Sequence, residues 1–376
     1  FFKALEDGVK SYDFIVTQNK KDDTNHNVIV IADPQISERS ELEELKPYAT
    51  DIEDFVIKSD GDYTFGLCLG DIVGWDHTIY NDYNKIMAGT KIDFRHVIGN
   101  HDMTNYGRSH ETSMKDYENM YGPAWYSFNV GKVHYIVLND NYYVGRDYFY
   151  IGLIDERQLR WLENDLSYVP AGSTVVLAMH IPTTLGQEDR DAFQYGTIGD
   201  NLANKTALYA MLEPYKALIL SGHMHTSDFQ KISDNITEIN IAGLCGAWWC
   251  GATCIDGTPA GYKAFDFNGD NIKWIYKGCG HKTEYQFNAY VDPDQPGHIV
   301  ANVWDYDPAW KVEYYEDGKK VCDMEQFTGT DMRARELYKD PSSLKRNWVY
   351  AAQTSHLFKA PMTKGARKLE VKVTDR

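Results

Sequence analysis

The chain has 376 residues, 43% hydrophobic and 25% charged, a globular composition with room for two domains. Its formal charge of -17 argues against a dedicated DNA or RNA binder, but not against a phosphate-ester substrate, because bound cations reverse the local field. No stretch approaches the roughly 18–20 uninterrupted apolar residues of a membrane-spanning helix.

The opening residues, Phe1 to Leu5, carry neither an initiator Met nor a signal-peptide pattern. They read as a chain from which a leader was removed, which sets the expectation of a periplasmic or secreted protein. Residues 12–17 read as a short strand and 20–25 as a polar linker, so 1–26 stand apart as an N-terminal strand and linker. Continuous apolar runs follow at 28–31, 65–69, 96–98, 174–178 and 217–220, with a sixth at 133–138. Such runs suit strands buried on both faces. Helical spacing covers 38–48, 76–88, 155–166 and 205–213; the third has an apolar stripe of Leu159, Trp161, Leu162 and Leu166. Strands alternating with helices predict an α/β fold. From 284 onward, short alternating segments at 284–291, 298–304, 311–315 and 368–373 predict a small antiparallel β domain. The expected division is therefore 27–283 and 284–376.

Four of the six cysteines fall between 245 and 279. The spacing of Cys250 and Cys254 admits a zinc pair or a loop disulfide, but no second pair at zinc-ribbon spacing accompanies it, and free thiols are the leading reading. Tyr (27) and Trp (9) are abundant, as suits either β-rich cores or surfaces that meet sugars and flat ligands.

The five principal runs end in polar residues: Asp33-Pro34-Gln35, Gly70-Asp71, Gly99-Asn100-His101-Asp102, His180, and Gly222-His223-Met224-His225. Ligands bind beyond the carboxyl ends of parallel strands, so these residues are expected at one edge of a single sheet. Taken alone, each has an ordinary explanation as a helix cap, a turn or a hydrogen-bonded loop residue. Five in succession call for a ligand, because buried polar groups are costly unless something binds them. Carboxylate, amide and imidazole donors together suit two divalent cations drawn from Mn, Fe, Zn, Co or Mg.

In this order the motifs resemble those of the calcineurin-like metallophosphoesterases, over roughly residues 27–280. The resemblance implies an α/β sandwich of central β-sheets flanked by helices, with a smaller C-terminal β-sandwich-like domain. It implies one metal held by Asp33, Gln35, Asp71 and His225. A second would be held by Asp71, Asn100, His180 and His223, with Asp71 bridging. A hydroxide between the metals would attack phosphorus in line. His101 would then serve the leaving oxygen, with Asp102 orienting its ring. Gln35 stands where the common motif has His, as in an Asp-Pro-Gln branch of the family, and can ligate only through its amide oxygen. The acid often found three residues after the bridging Asp is absent, with Asp76 as a candidate replacement. The segment 243–262 resembles a loop of a bacterial subgroup that carries an extra C-terminal β domain.

Five further residues are candidates for substrate contact. Trp248, Trp249 and Tyr262 would form either an aromatic wall or inter-domain packing, while Tyr106 and Arg108 would touch phosphate. The leading expectation is a metal-dependent phosphoric-ester hydrolase, a phosphatase or phosphodiesterase. The alternative, motivated by Gln35, is an inactive binding or scaffold protein on the same fold. A further idea is carbohydrate contact through the 284–376 domain.

Overall fold

The computed structural model describes the chain except residues 1, 2, 4, 5, 16–21, 59–62, 105, 146–148, 185–197 and 376. In chain order, β1 (Asn25–Ile31), α1 (Glu41–Lys58), β2 (Tyr63–Cys68), α2 (Tyr80–Met87) and β3 (Phe94–His96) make two parallel crossovers. The short helices α3 (His110–Ser113) and α4 (Lys115–Tyr121) lead to hairpin β4 (Tyr126–Val130) and β5 (Val133–Val137), then to hairpin β6 (Asn141–Gly145) and β7 (Phe149–Gly152). Alternation resumes with α5 (Glu156–Leu166), β8 (Thr174–Ala178), α6 (Lys205–Leu212) and β9 (Lys216–Ser221). Hairpin β10 (Asp228–Lys231) and β11 (Ile236–Asn240) and hairpin β12 (Gly261–Asn268) and β13 (Asn271–Gly278) complete this region.

These strands form two sheets, as the family resemblance implied, where the strand-end argument alone expected one. The first has order β13-β12-β1-β2-β3 and the second β10-β11-β9-β8-β5-β4. An apolar run buried on both faces does not reveal whether its far side meets a helix or another sheet, and here each strand meets both. Val28 and Val30 join Phe65, Val176 and Leu218 in the core between the sheets. Ile29 and Ile31 face the opposite way, against Leu45 and Ile52 of α1 and Tyr83 of α2. Val175 and Leu177 pack on Leu162 and Leu166 of α5 and on Leu208 and Leu212 of α6. Each such side chain contributes roughly 1.5–3 kcal/mol by leaving water. All strands that carry motifs run parallel within their sheet, so their carboxyl ends share one edge of the sandwich.

The expected helices are present, with small changes at their ends. Asp155 accepts a hydrogen bond from Gln158 N (2.9 Å) and so caps α5. α1 starts later than expected and runs on to Lys58, because Ile52, Phe55 and Val56 continue its apolar face. The described part of the expected 12–17 strand, residues 12–15, forms no strand, and 16 and 17 lie outside the described residues, as do 20 and 21 of the linker.

Beyond β13 the chain is β-rich: β14 (Asn288–Val291), β15 (His298–Asn302), β16 (Lys311–Glu316), β17 (Lys319–Asp323) and β18 (Glu325–Thr330), then α7 (Met332–Leu337), β19 (Gln353–Pro361) and β20 (Leu369–Thr374). Sheets β14-β15-β19-β18 and β17-β16-β20 enclose a core around Val312, Tyr314 and Phe358. This region is joined to the first sheet by a buried ion pair, Lys263 to Asp305 at 2.6 Å, and Asp305 also accepts from Tyr276 N (2.9 Å). Trp304 packs beside them against Tyr276 and Cys254.

Removing one partner of a buried pair strands the other charge. Asp305→Ala is therefore expected to lower stability by about 3–5 kcal/mol in denaturant titration, and Lys263→Met combined with Asp305→Leu to recover most of it.

Glu238 on β11 is a second buried charge, accepting from Thr183 N (2.8 Å) and Ser221 Oγ (3.0 Å). Burial pushes its carboxyl from 4.5 up to about 7, against those hydrogen bonds. The folded state then holds more protons than the unfolded state between those values, so this group's contribution falls as pH rises through that window. Glu238→Gln is expected to gain on the order of 2–3 kcal/mol relative to wild type between pH 5 and pH 8, measured by urea midpoints at both.

Candidate metal centre

Where the parallel strands stop, the backbone leaves ordinary conformational space. Asp33 (φ 48°), Gln35 (φ 42°), Asp71 (φ 49°), His223 (φ 71°) and His225 (φ 53°) all occupy the left-handed region. L-residues avoid that region at a cost of order 1–3 kcal/mol each, and such strain clusters at functional sites. The loops also approach too closely for side chains at two glycines. A Cβ on Gly99 would lie 2.1 Å from Asp71 N, and one on Gly222 would lie 2.8 Å from Asp33 Oδ2.

All seven residues predicted as ligands meet here. Asp71 lies at the centre: His180 Nε2 is 3.3 Å from its Oδ1, Gln35 Nε2 donates to its Oδ2 (3.3 Å), and His101 N donates to its Oδ1 (2.8 Å). Asn100 Oδ1 is 3.0 Å from His180 Nε2, and His223 Nδ1 is 3.1 Å from the same nitrogen. On the other flank, His225 Nε2 is 3.7 Å from Asp33 Oδ1, and Asp33 Oδ2 accepts from His223 N (2.9 Å). Ligand atoms of Asp71, His180 and His223 all lie within 4.8 Å of one another.

The ring orientations fit cation binding. His180 Nδ1 donates to Leu69 O (2.7 Å) and His225 Nδ1 to Gly246 O (3.0 Å), which turns each Nε2 inward. Asp33 Oδ1 and Gln35 Oε1 are buried without a hydrogen-bond partner among the described residues. The amide nitrogen of Gln35 is engaged by Asp71, so the oxygen, its only ligating atom, is the one left over. Charge is uneven. Burial pushes Asp33 up to about 8. Burial also raises Asp71, but His180 and His101 outweigh it and hold that carboxyl well below its ordinary range. Burial lowers His180, yet Asp71 wins and lifts it to about 10. A donor set this acidic and this dry requires positive charge within it, and two divalent cations suit it.

His101 and Asp102 part company. The Asp102 carboxylate turns back onto backbone amides, accepting from Gly99 N (2.8 Å) and Ile72 N (3.2 Å), and also from Tyr80 OH (3.1 Å). It ends a 3-10 turn whose amides lie closer than the imidazole, so it pins the Asp71 and Asn100 loops and does not orient the ring as expected. His101 packs against the indole of Trp75, with ring centroids 4.0 Å apart, and its backbone oxygen accepts from His77 Nε2 (3.0 Å). Asp76 caps the following turn through Thr78 N (3.0 Å).

Of the residues expected at substrate, only Trp248 lines the cleft, stacked on His225 at 4.0 Å. Trp249 is core, donating to Pro34 O (3.0 Å) and stacked on Tyr48. Tyr262 is buried behind α1, bonded to Asp51 (2.9 Å). Tyr106 and Arg108 are exposed and lie outside the residues that line the cleft. All six cysteines are unpaired.

Five contributors escaped the sequence reading. Asp140 accepts from His180 N (3.3 Å) and Ile181 N (2.8 Å); its position just past the sixth apolar run was the available signal. Tyr150 OH lies 3.5 Å from His223 Nε2. Lys345, Arg346 and Trp348 of the C-terminal region line the same cavity, about 550 Å³, as His101 and Trp75, and no local pattern marks them.

The calcineurin-like phosphoesterase family matches residues 26–227, and the family described as the C terminal of calcineurin-like phosphoesterase matches 238–376. None of the curated proteins matches the chain. Similar solved structures include a dimetal phosphatase from Danio rerio, at 16% identity, covering 67% of this chain and 96% of that one, with a TM-score of 0.46. A purple acid phosphatase from yellow lupin (Lupinus luteus) is 13% identical, covering 68% of this chain and 52% of that one, with a TM-score of 0.48. By the match of that family over residues 26–227, more than half its length, the chain belongs to the calcineurin-like phosphoesterase family and is a hydrolase of phosphoric ester bonds.

Proposed function

We propose that this centre holds two divalent cations and cleaves a phosphoric ester with His101 as the group that protonates the leaving oxygen. The observation that carries the reading is the convergence of five strand ends, three of them strained, around buried acceptor atoms that lack a hydrogen-bond partner among the described residues. Asp33, Gln35, Asp71 and His225 would hold one ion, and Asp71, Asn100, His180 and His223 the other, with Asp71 shared. When bound, the ions supply a water ionised near neutral pH as the in-line nucleophile and neutralise the phosphoryl oxygens.

The chain's own residues do the rest. His101 Nε2 lies 4.0 Å from Asp71 Oδ2, so a proton held there sits at the edge of the cluster. Protonating a departing alkoxide in this way contributes about 10²–10⁴ in rate. Burial lowers the His101 imidazole from its ordinary value, against the pull of Asp71, and the Trp75 indole packs on its ring. Asp102 keeps the Asp71 and Asn100 loops in register, and Asp140 does the same for His180. Trp248 covers His225 and excludes water from one side.

With Mn added, wild type is expected to hydrolyse p-nitrophenyl phosphate or its bis ester, and the preferred one separates monoesterase from diesterase. His101→Ala should lose about 10²-fold or more in kcat, less on the nitrophenyl leaving group than on an alkyl one, since a good leaving group needs little protonation. Equal losses on both would remove His101 from the leaving-oxygen role.

Metal content gives an independent check. Elemental analysis should find two ions per wild-type chain and fewer than one in Asp71→Ala, because the shared carboxylate serves both positions. Two ions in that variant would disprove the bridging assignment. No ions in wild type would favour an inactive scaffold.

A further inference from the structure

The segment 344–350 of the C-terminal region crosses the mouth of the metal cluster, and its residues divide into anchors and exposed rings. Leu344 and Val349 pack beside Ala247 and Tyr338. Arg346 pairs with Glu41 (2.8 Å) and Glu38 (3.1 Å), and Lys345 with Glu41 (2.6 Å). Glu41 is fully buried and also accepts from Ser37 N (2.7 Å), two residues after Gln35. The strap is thus tied directly to the loop that carries a candidate ligand.

Between these anchors Trp348 remains 57% exposed, and Trp75, which lines the same cavity, is 48% exposed. Two large apolar rings left in water at one cavity are a cost to the isolated protein that a ligand would remove. Trp75 also touches His101, which the mechanism above sets at the leaving oxygen, so this cavity lies on the leaving-group side. The two cations of the strap do not mark a second phosphate site. Lys345 and Arg346 already face Glu38, Glu41 and Glu44, so the wall carries no surplus positive charge.

We infer that Trp348 and Trp75 form a subsite for a planar heteroaromatic ring carried by the leaving alcohol of the ester. The C-terminal region then helps select the substrate. The inference rests on the hydrolase reading with His101 at the leaving oxygen. Arg346, whose guanidinium lies 6.0 Å from the Trp348 ring centre, holds that indole in place while its charge is spent on Glu41 and Glu38.

The test compares adenosine 5'-monophosphate with ribose 5-phosphate, which break the same kind of bond and differ only in the ring. kcat/KM is measured for wild type, Trp348→Ala and Trp348→Phe, and adenosine binding is followed by calorimetry. Wild type should prefer the nucleotide by about tenfold or more, the range of one base stacked on an aromatic side chain. Trp348→Ala should bring that ratio close to one and weaken adenosine binding about tenfold, while Trp348→Phe keeps most of both. A wild-type ratio near one, or a ratio and affinity that Trp348→Ala leaves unchanged, overturns the subsite. If neither ester is cleaved but adenosine binds and Trp348→Ala weakens it, the subsite stands and the hydrolase mechanism fails.

Discussion

Asp33 and Asp71 are carboxylates cut off from solvent, and the architecture around them follows from the need for positive charge between them. A carboxylate buried without a partner costs several kcal/mol. The chain meets part of that demand with His180, which it holds with Asp71 as a charged pair. Reaching this arrangement needs five loops from two sheets within a few ångströms, which is why five L-residues accept left-handed backbone and why Gly99 and Gly222 lack side chains. The apolar strands supply the rigidity that keeps the strain in place, since their side chains are buried on both faces.

The C-terminal region belongs to this arrangement as more than an appendage. The segment that follows β11 adds Leu244 N to Ala32 O (2.7 Å) and the Trp249 indole to Pro34 O (3.0 Å), supporting the first motif from behind. Asp256 in the same segment accepts from Ser227 N (2.7 Å), just after His225, and meets His356 of β19 (3.1 Å). With Glu41 and Arg346 on the other side, the β-rich region touches both ends of the cluster. Movement of that region would therefore be felt by Gln35 and His225 alike.

How far the sequence could be read differs by residue. The burial of 28–31 and 174–178, the α5 stripe and its Asp155 cap are local patterns, and each appears where expected. The seven ligand candidates were legible for a related reason: a polar residue straight after an apolar strand can only lie at the strand's carboxyl end. Asp102 was misread because its neighbour in sequence is not its neighbour in space; the 3-10 turn sends its carboxylate to Gly99 N and away from the imidazole. Trp249 and Tyr262 were ambiguous between wall and core, and packing against Tyr48 and Asp51 put them in the core.

By itself, then, the sequence determined the alternation of elements, the residues at the strand ends and the chemistry those residues carry, because each depends on neighbours a few positions away. Tertiary structure alone decided which strands fall in which sheet, that Asp140 and Tyr150 support the histidines, and that Lys345, Arg346 and Trp348 reach a site built from residues far earlier in the chain. Those contacts arise from how separate layers pack, and a periodicity of two or of 3.6 residues carries no record of which distant surface a side chain will meet.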